Sequence, residues 1–336
     1  MHKDTRKQIH GFNTQIAKLN DVDIAVVADG KKFSVTPDVE TKLEERIKES
    51  SGFLQKINIT SVINQSGRKV GIGANSTIAG RSNTAGGTER TTQDPTGEDE
   101  FTYMCRQTNF DTHLSYAKLD SWRHRKDFQK LVQAAVTKQI GRDRIMIGFN
   151  GTSAAVNTNR VANPLLQDVN IGWLEKIRTE APAHHTDGIT IGGTGSPDFN
   201  NLDAAVMSAT NELIAEWVQE DTELVVILGR TLFNDKFEAL VNDHGEPTEK
   251  LATDVLIGNK KVGGLKAMRV PFFPPNAFLV TPLDNLSIYW QEGSRRRSIE
   301  ENSKLDRVED YQSVNEDYVV EDYESVAFVE NITESA

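Results

Sequence analysis

Cysteine is nearly missing: Cys105 is the only one in 336 residues. A single thiol cannot form an internal disulfide framework, and it fits a reducing cytoplasm. Long apolar runs are missing too. None approaches the roughly 18 residues needed to cross a bilayer, so no membrane partner is expected. The opening MHKDTRKQIHGFNTQIAKLN lacks the apolar centre of a signal peptide. A cationic surplus is also lacking, since the net charge is -11. Affinity for nucleic-acid phosphates comes mainly from Lys and Arg, so general nucleic-acid binding is disfavoured.

Catalytic signatures are absent as well. The stretch GIGANSTIAG (71–80) resembles a phosphate loop, but Arg81 and Ser82 come after it where a Walker-type loop needs Lys and Ser/Thr. The dinucleotide pattern needs a glycine where Ser76 stands, and a helix afterwards. The next twenty residues, RSNTAGGTERTTQDPTGEDE, have no helical periodicity. His184 and His185 are adjacent, which does not suit a zinc pair, and Cys105 is distant. The acidic groups Glu98-Asp99-Glu100 and Glu321-Asp322 lack the apolar frame that would shift their pKa values, and read as solvated faces. GTGSPDF is only a near miss for a nucleophile elbow, and His124 falls on the basic side of a helix. The expectation is therefore no catalytic, cofactor or metal residues. Trp173, Trp217 and Trp290 sit in apolar patterns that predict core positions.

What charge there is lies unevenly. From Glu300 to Ala336 there are 12 acidic residues against Lys304 and Arg307, so this segment holds most of the surplus. The first 20 residues lean basic, with Lys3, Arg6, Lys7 and Lys18 against Asp4. Opposed ends can attract one another or neighbouring copies at low salt. Arg295-Arg296-Arg297 precede Glu300 and Glu301, which predicts local charge pairing.

Along the chain, Ile9, Phe12, Ile16 and Leu19 recur at helical spacing. Gly30 and Pro37 break that pattern, and Val39, Leu43, Ile47 and Leu54 mark a helix over 38–57. INITSVI (57–63) and FTYMCRQTNF (101–110) have strand character. Between them lie more than 30 residues with almost no core-forming material. Connections that long are functional or disordered, and a lone two-stranded ribbon is marginal in water. A neighbouring copy of the chain is the obvious support. Leu119, Trp122, Phe128, Leu131, Val132 and Ile140 predict one long spine helix over 115–140. Alternating helices and strands over about 165–285, with helices at 201–219 and around Leu251, predict an α/β subdomain. The C-terminal SVNEDYVVEDYESVAFVE predicts strands with one wet face.

Several stretches are idiosyncratic: SIYWQEGSRRRSIEENSKLDRVEDYQSVNEDYVVEDYE (287–324), GIGANSTIAGRSNTAGGTER (71–90), MIGFNG (146–151), NPLLQDVNIGWL (163–174) and RVPFFP (269–274). In order and spacing they closely resemble the major capsid proteins of P-two-like tailed phages, from near residue 5 to about 330. The resemblance implies an α+β, Hong Kong 97-type capsid fold. Its parts would be a removable assembly segment (1–33), an arm (34–57), an extended β-hairpin loop (58–112), a peripheral domain with the spine helix (113–164), an axial domain (165–285) and an acidic return to the peripheral domain (286–336).

The same resemblance implies a shell of homo-pentamers and hexamers around packaged double-stranded DNA, assembled in the host bacterial cytoplasm. DNA would be a non-specific neighbour; scaffold, maturation protease and portal would be partners. Trimming is expected near Phe33 and Ser34, in an exposed, flexible break. Gly71, Gly73, Gly80, Gly86, Gly87 and Arg90 would belong to the inter-subunit loop, the glycines serving backbone shape and close approach. Two alternatives stand beside this: a cytoplasmic α/β enzyme with a dimerisation arm, and an encapsulin-like compartment shell.

Overall fold

The computed structural model describes residues 1–69, 79, 81–82, 84–86, 89–90, 92, 101–122, 124–125, 127–193, 195–242 and 261–334. The chain opens with helices α1 (Lys3–Leu19) and α2 (Ile24–Ala28), strand β1 (Phe33–Ser34) and helix α3 (Pro37–Glu49). Their boundaries arise from local chemistry. The His2 ring accepts from the Asp4 amide at 3.2 Å and caps α1. Pro37 begins α3, Asp38 and Glu40 lie in its first turn, and Arg46 and Lys48 in its last, each complementing the helix dipole.

Strands β2 (Asn58–Val62), β3 (Ser66–Arg68), β4 (Thr102–Met104), β5 (Arg106–Asn109) and β6 (Thr112–Ser115) come next, then helices α4 (Tyr116–Ser121), α5 (Phe128–Asn150) and α6 (Trp173–Glu180). After them come strands β7 (His185–Asp187) and β8 (Thr190–Ile191), helix α7 (Leu202–Leu213), strand β9 (Leu224–Leu228) and helix α8 (Arg230–Asn242). The chain closes with β10 (Lys261–Val262), β11 (Leu265–Met268), β12 (Phe278–Pro282), β13 (Leu286–Gln291), β14 (Arg296–Asn302), β15 (Arg307–Val320), β16 (Ala327–Glu330) and β17 (Thr333–Glu334).

Two sheets organise the molecule. The first is seven-stranded and centred on β15. One edge of β15 pairs with β14 and then β13; the other pairs with β6 and then β5. Outside these, β1 joins β14 and β2 joins β13. The second sheet runs β10-β11-β9-β12-β16-β7. Two cores lie against the sheets, the larger of them also taking in Ile227, Leu279 and Phe328 from the second sheet. α5, α6 and the first sheet enclose Ile140, Ile145, Phe149, Trp173, Ile288 and Tyr318. α7 and the second sheet enclose Val206, Val226, Phe278, Val280 and Val329.

The structure departs from the sequence-based expectations at definite places. The spine is not continuous over 115–140: α4 ends at Ser121, and α5 starts at Phe128 and runs ten residues further, to Asn150. At the break Trp122 stacks on Phe128 at 5.6 Å, and Arg125 pairs with Asp127. The two glycines inside α5 mark close packing. A Cβ on Gly148 would lie 2.2 Å from the Trp173 ring, and one on Gly141 would lie 2.5 Å from Ser50 Oγ.

Among the described residues of the expected ribbon, β3 and β4 pair with each other, whereas β2, β5 and β6 are members of the first sheet. The wet face expected of the C-terminal strands is largely absent from β15, because both its edges are paired and most of its residues are buried. β16 does not join the first sheet; it lies in the second, between β12 and β7. The helix expected over 201–219 stops at Leu213, where the Ala215 amide turns to the Glu324 carbonyl at 2.9 Å. That exit leaves Trp217 63 % exposed rather than in the core. Trp173 and Trp290 are buried. The expected helix around Leu251 lies outside the described residues.

Candidate assembly surfaces

Three structural features bear on how the chain meets its neighbours. The first is the root of the ribbon. Lys69 is buried there, with its ammonium 4.6 Å from the Tyr323 ring centre and donating to the carbonyls of Val320 and Glu321. On the returning strand, the Met104 amide donates to Asp317 Oδ2 at 3.0 Å, and the same oxygen takes a 2.8 Å ion pair from Lys176. Cys105 is buried beside them. Burial, then the Asp317 and Glu316 carboxylates, push its thiol up to about 12. At neutral pH it is protonated and a poor nucleophile. The ribbon thus leaves the body from a polar, fixed base.

The second feature is a buried ion cluster that fastens α3 to the body. Arg144, on α5, is wholly buried. It donates to Glu44 Oε2 at 2.6 Å and Oε1 at 3.0 Å, and its Nε donates to Glu316 Oε2 at 2.9 Å. Arg295 also donates to Glu44 Oε1. Burial alone would raise the Glu44 pKa, but Arg144 and Arg295 outweigh it and hold the carboxyl below its ordinary range. Nearby Glu40 is pushed the other way, mainly by burial, although the Gly293 amide donates to it at 3.1 Å. Removing one partner of such a cluster strands an uncompensated charge in a medium that solvates it poorly.

This cluster corrects two expectations. Arg295 does not pair with Glu300 or Glu301 but with Glu44 on a distant helix, while Arg297 pairs with Asp310 at 2.7 Å. The C-terminal acidic residues are not simply a solvated field. Glu316, Asp317, Glu309, Asp310 and Glu330 each have a basic partner within the chain. Glu321, expected on a solvated face, accepts from the Tyr289 hydroxyl at 2.8 Å. Four of these partners, Arg144, Lys176, Arg178 and Arg297, come from outside the C-terminal segment, so part of its local acidity is balanced by the rest of the chain.

The third feature is the N-terminal segment. It has its own small core: Ile16, Ala17, Val27 and Phe33 gather around Ile299 of β14, with Phe12, Val22, Ile24, Val26 and Val308 packed against them. Outside this core it is tied by the pairing of β1 with β14, by the His2 amide donating to Asp120 at 2.9 Å, and by further polar contacts. Thr5 donates to Asp120 at 2.6 Å, Gln129 donates to the Gln8 carbonyl at 3.0 Å, and Arg6 faces Glu301 at 3.7 Å.

Phe33 and Ser34, the expected trimming point, form β1 and pair with Arg297 and Arg296 at the edge of the first sheet. Phe33 is buried and Ser34 exposed, so the bond lies at a paired strand edge with one side open to solvent. The sequence hides this because GKKFSVTP has Gly30 and Pro37 on either side, and a two-residue strand between breakers has no periodicity to detect. Of the expected loop residues, Gly71, Gly73, Gly80 and Gly87 lie outside the described residues. Gly86 ends a short 3-10 turn, Thr84–Gly86, and Arg90 is exposed outside any element.

No three His, Cys, Asp or Glu side chains are grouped to hold a metal among the described residues. His184 and His185 have ordinary structural partners: the Leu213 carbonyl at 2.5 Å for the first, Glu330 at 2.9 Å for the second. No helix among the described residues is long and apolar enough to cross a membrane.

Comparison with known proteins decides what this architecture is. A family model described as phage major capsid protein, P2 family, matches residues 8–332. The chain belongs to that family. It is 46% identical to the capsid proteins of Escherichia phage P2 over 99% of this chain and 95% of the relative. It is 43% identical to the major capsid protein of Serratia phage KSP20, over 99% and 98%. Among solved structures, it superposes on a chain of the satellite phage P4 procapsid including the size determination (Sid) protein. There the TM-score is 0.81 at 43% identity, covering 100% of this chain and 99% of that one. The capsid of the native GTA particle shares the fold at a TM-score of 0.52 and 13% identity, covering 84% of this chain and 90% of that one. The fold is thus the Hong Kong 97-type capsid fold, and the chain is a structural subunit of an icosahedral virion shell. The family places it with phage shells rather than with an α/β enzyme or a compartment shell.

Proposed function

We propose that copies of this capsid protein tile as pentamers and hexamers around packaged double-stranded DNA, and that the subunit has no catalytic role. Residues 1–33 assist assembly and are then removed between Phe33 and Ser34 by a phage-encoded maturation protease, with a scaffold and a portal as further partners. Residues 34–57 act as an arm, 58–112 as the loop that lies over a neighbouring subunit, and 165–285 as the axial domain.

The observation that carries this reading is the division of the chain. A nearly independent helical segment ends at Phe33, and the rest closes around two larger cores without it. Such a segment can be lost without opening the body.

Electron microscopy and intact-mass measurement of DNA-filled particles test the proposal together. Closed shells of five- and six-fold capsomers, with subunits that begin at Ser34, are the expected result. Filled shells whose subunits retain residues 1–33 would overturn the trimming, and a soluble dimer with no capsomers would overturn the tiling.

A further inference from the structure

Positive charge is concentrated in two stretches of this acidic chain. Residues 1–20 hold four Lys and Arg, and residues 116–142 hold seven, against Asp4, Asp120 and Asp127 alone. The chain as a whole carries -11. The two stretches are far apart in sequence and meet in the fold. The His2 amide and the Thr5 hydroxyl donate to Asp120 Oδ1 at 2.9 and 2.6 Å. The Gln129 side chain donates to the Gln8 carbonyl at 3.0 Å, so Lys7 and Lys130 stand beside the two ends of one hydrogen bond.

Each helix turns a basic row to solvent. On α1, Thr5, Ile16 and Ala17 are buried, whereas Lys3, Lys7 and Lys18 are exposed and share a face by their spacing. On α5, Lys130, Lys138 and Arg142 are exposed, again on one face. Among the described residues no ion pair takes any of these six. Two acids that could have balanced them are engaged. Arg125 takes Asp127, and the contacts from Thr5 and His2 hold the Asp120 carboxyl below its ordinary range. Apolar groups are exposed among these charges. Trp122 and Leu131 are each 43 % exposed, and Ala134 and Ala135 are exposed between Lys130 and Lys138.

We infer that α1 and the α4–α5 joint form one docking surface for an acidic amphipathic helix of a partner protein. Like charges crowded on one face repel, and an acidic partner relieves that repulsion as it binds. Phosphates of duplex DNA need charge alone. Trp and aliphatic groups interleaved with Lys and Arg instead match a helix with an apolar stripe of its own. From Lys3 to Lys18 the row is about 22 Å long at 1.5 Å per residue, room for about four turns of such a helix. On the trimming proposed above, one row would be removed and the surface would be whole only in the uncut chain. The surface itself does not depend on that reading.

The test uses the full chain and two labelled probes in fluorescence anisotropy at near-physiological salt. One is a helical peptide of about 16 residues with Glu on one face and Leu on the other; the second is a DNA duplex of similar length. The peptide should bind about ten-fold more tightly than the duplex. Reversing two exposed, unpaired charges together, Lys7→Glu with Lys138→Glu, should weaken the peptide about ten-fold. Lys266→Glu, exposed on β11 in the second sheet, should leave it unchanged. Leu131→Ser should weaken the peptide several-fold and leave the duplex alone; circular dichroism checks that each variant is folded. Tighter binding of the duplex would make this a phosphate surface and overturn the protein partner. No peptide binding, or equal binding by the charge-reversed chain, would overturn the surface. Masses of natural particles report on trimming alone, so either idea can fail without the other.

Discussion

The N-terminal segment and α3 adjoin each other in sequence and both rest on the first sheet, yet they are held there differently. Residues 1–33 rely on a small apolar cluster, the short pairing of β1 with β14, a few hydrogen bonds and an exposed ion pair. α3 is fastened by carboxylates buried beneath it, with Glu44 bridging Arg144 and Arg295 and Arg144 continuing to Glu316. None of these contacts is a buried ion pair, so each can be lost without stranding a charge. A buried ion cluster cannot be half-opened without stranding charge, so it makes the attachment all-or-none. On the proposed trimming, the boundary between the part removed and the part kept would fall between Phe33 and α3.

The sharpest way to break this contrast is Arg144→Ala. It leaves Glu44 and Glu316 buried without their main partner and should cost about 3–5 kcal/mol. Chemical denaturation should show that loss, and shells should not form. Gly148→Ala comes next: the new methyl meets the Trp173 ring inside a packed core, and a loss of about 1–3 kcal/mol is expected in the same assay. Ile16→Ala should remove a comparable amount, about 2 kcal/mol, but only from the segment. Amides of α1 would then exchange faster while the denaturation midpoint of the body stays put.

Acid offers a finer probe. Glu44 titrates below its ordinary 4.5, so its contribution is complete above that pH and is lost as pH falls through its lower folded value. Glu40, raised by burial, has the opposite sign: its charge costs stability near neutrality, and the cost disappears as pH falls through its raised value. Glu40→Gln should thus raise stability near neutral pH and flatten the curve above 4.5, while leaving the acid loss intact. The smallest effect is expected from Arg6→Ala. Its ion pair with Glu301 is exposed on both sides, and stability should move by less than about 0.5 kcal/mol.

Much of this architecture is legible in the sequence, and the illegible parts have physical causes. The apolar spacing of Ile9, Phe12 and Ile16 announces α1, and the run ELVVILG announces β9, because local periodicity reports local structure. The ion cluster is not legible as a cluster, because its partners lie 100 and 172 residues apart in the chain. A signal is nonetheless present. Arg144 stands at helical spacing with Ile140 and Ile147, so its charge sits on an apolar face. A charge on the wrong face of a helix points to a buried partner. The break between α4 and α5 is hidden for the converse reason: Leu119 with Trp122, and Phe128 with Leu131, keep helical spacing on either side while the backbone between the two pairs departs from it. The pairing of Phe33 with Arg297 depends on a strand far along the chain and leaves no local trace.

Native-state hydrogen exchange on the intact, uncut subunit tests the contrast most directly. If the segment is separable from a locked body, amides of α1 and α2 open together at a small fraction of the global unfolding free energy. Those of α3, α5 and β15 exchange only through global unfolding. Equal protection of α1 and α5 would mean that residues 1–33 are part of the core, and would contradict the account.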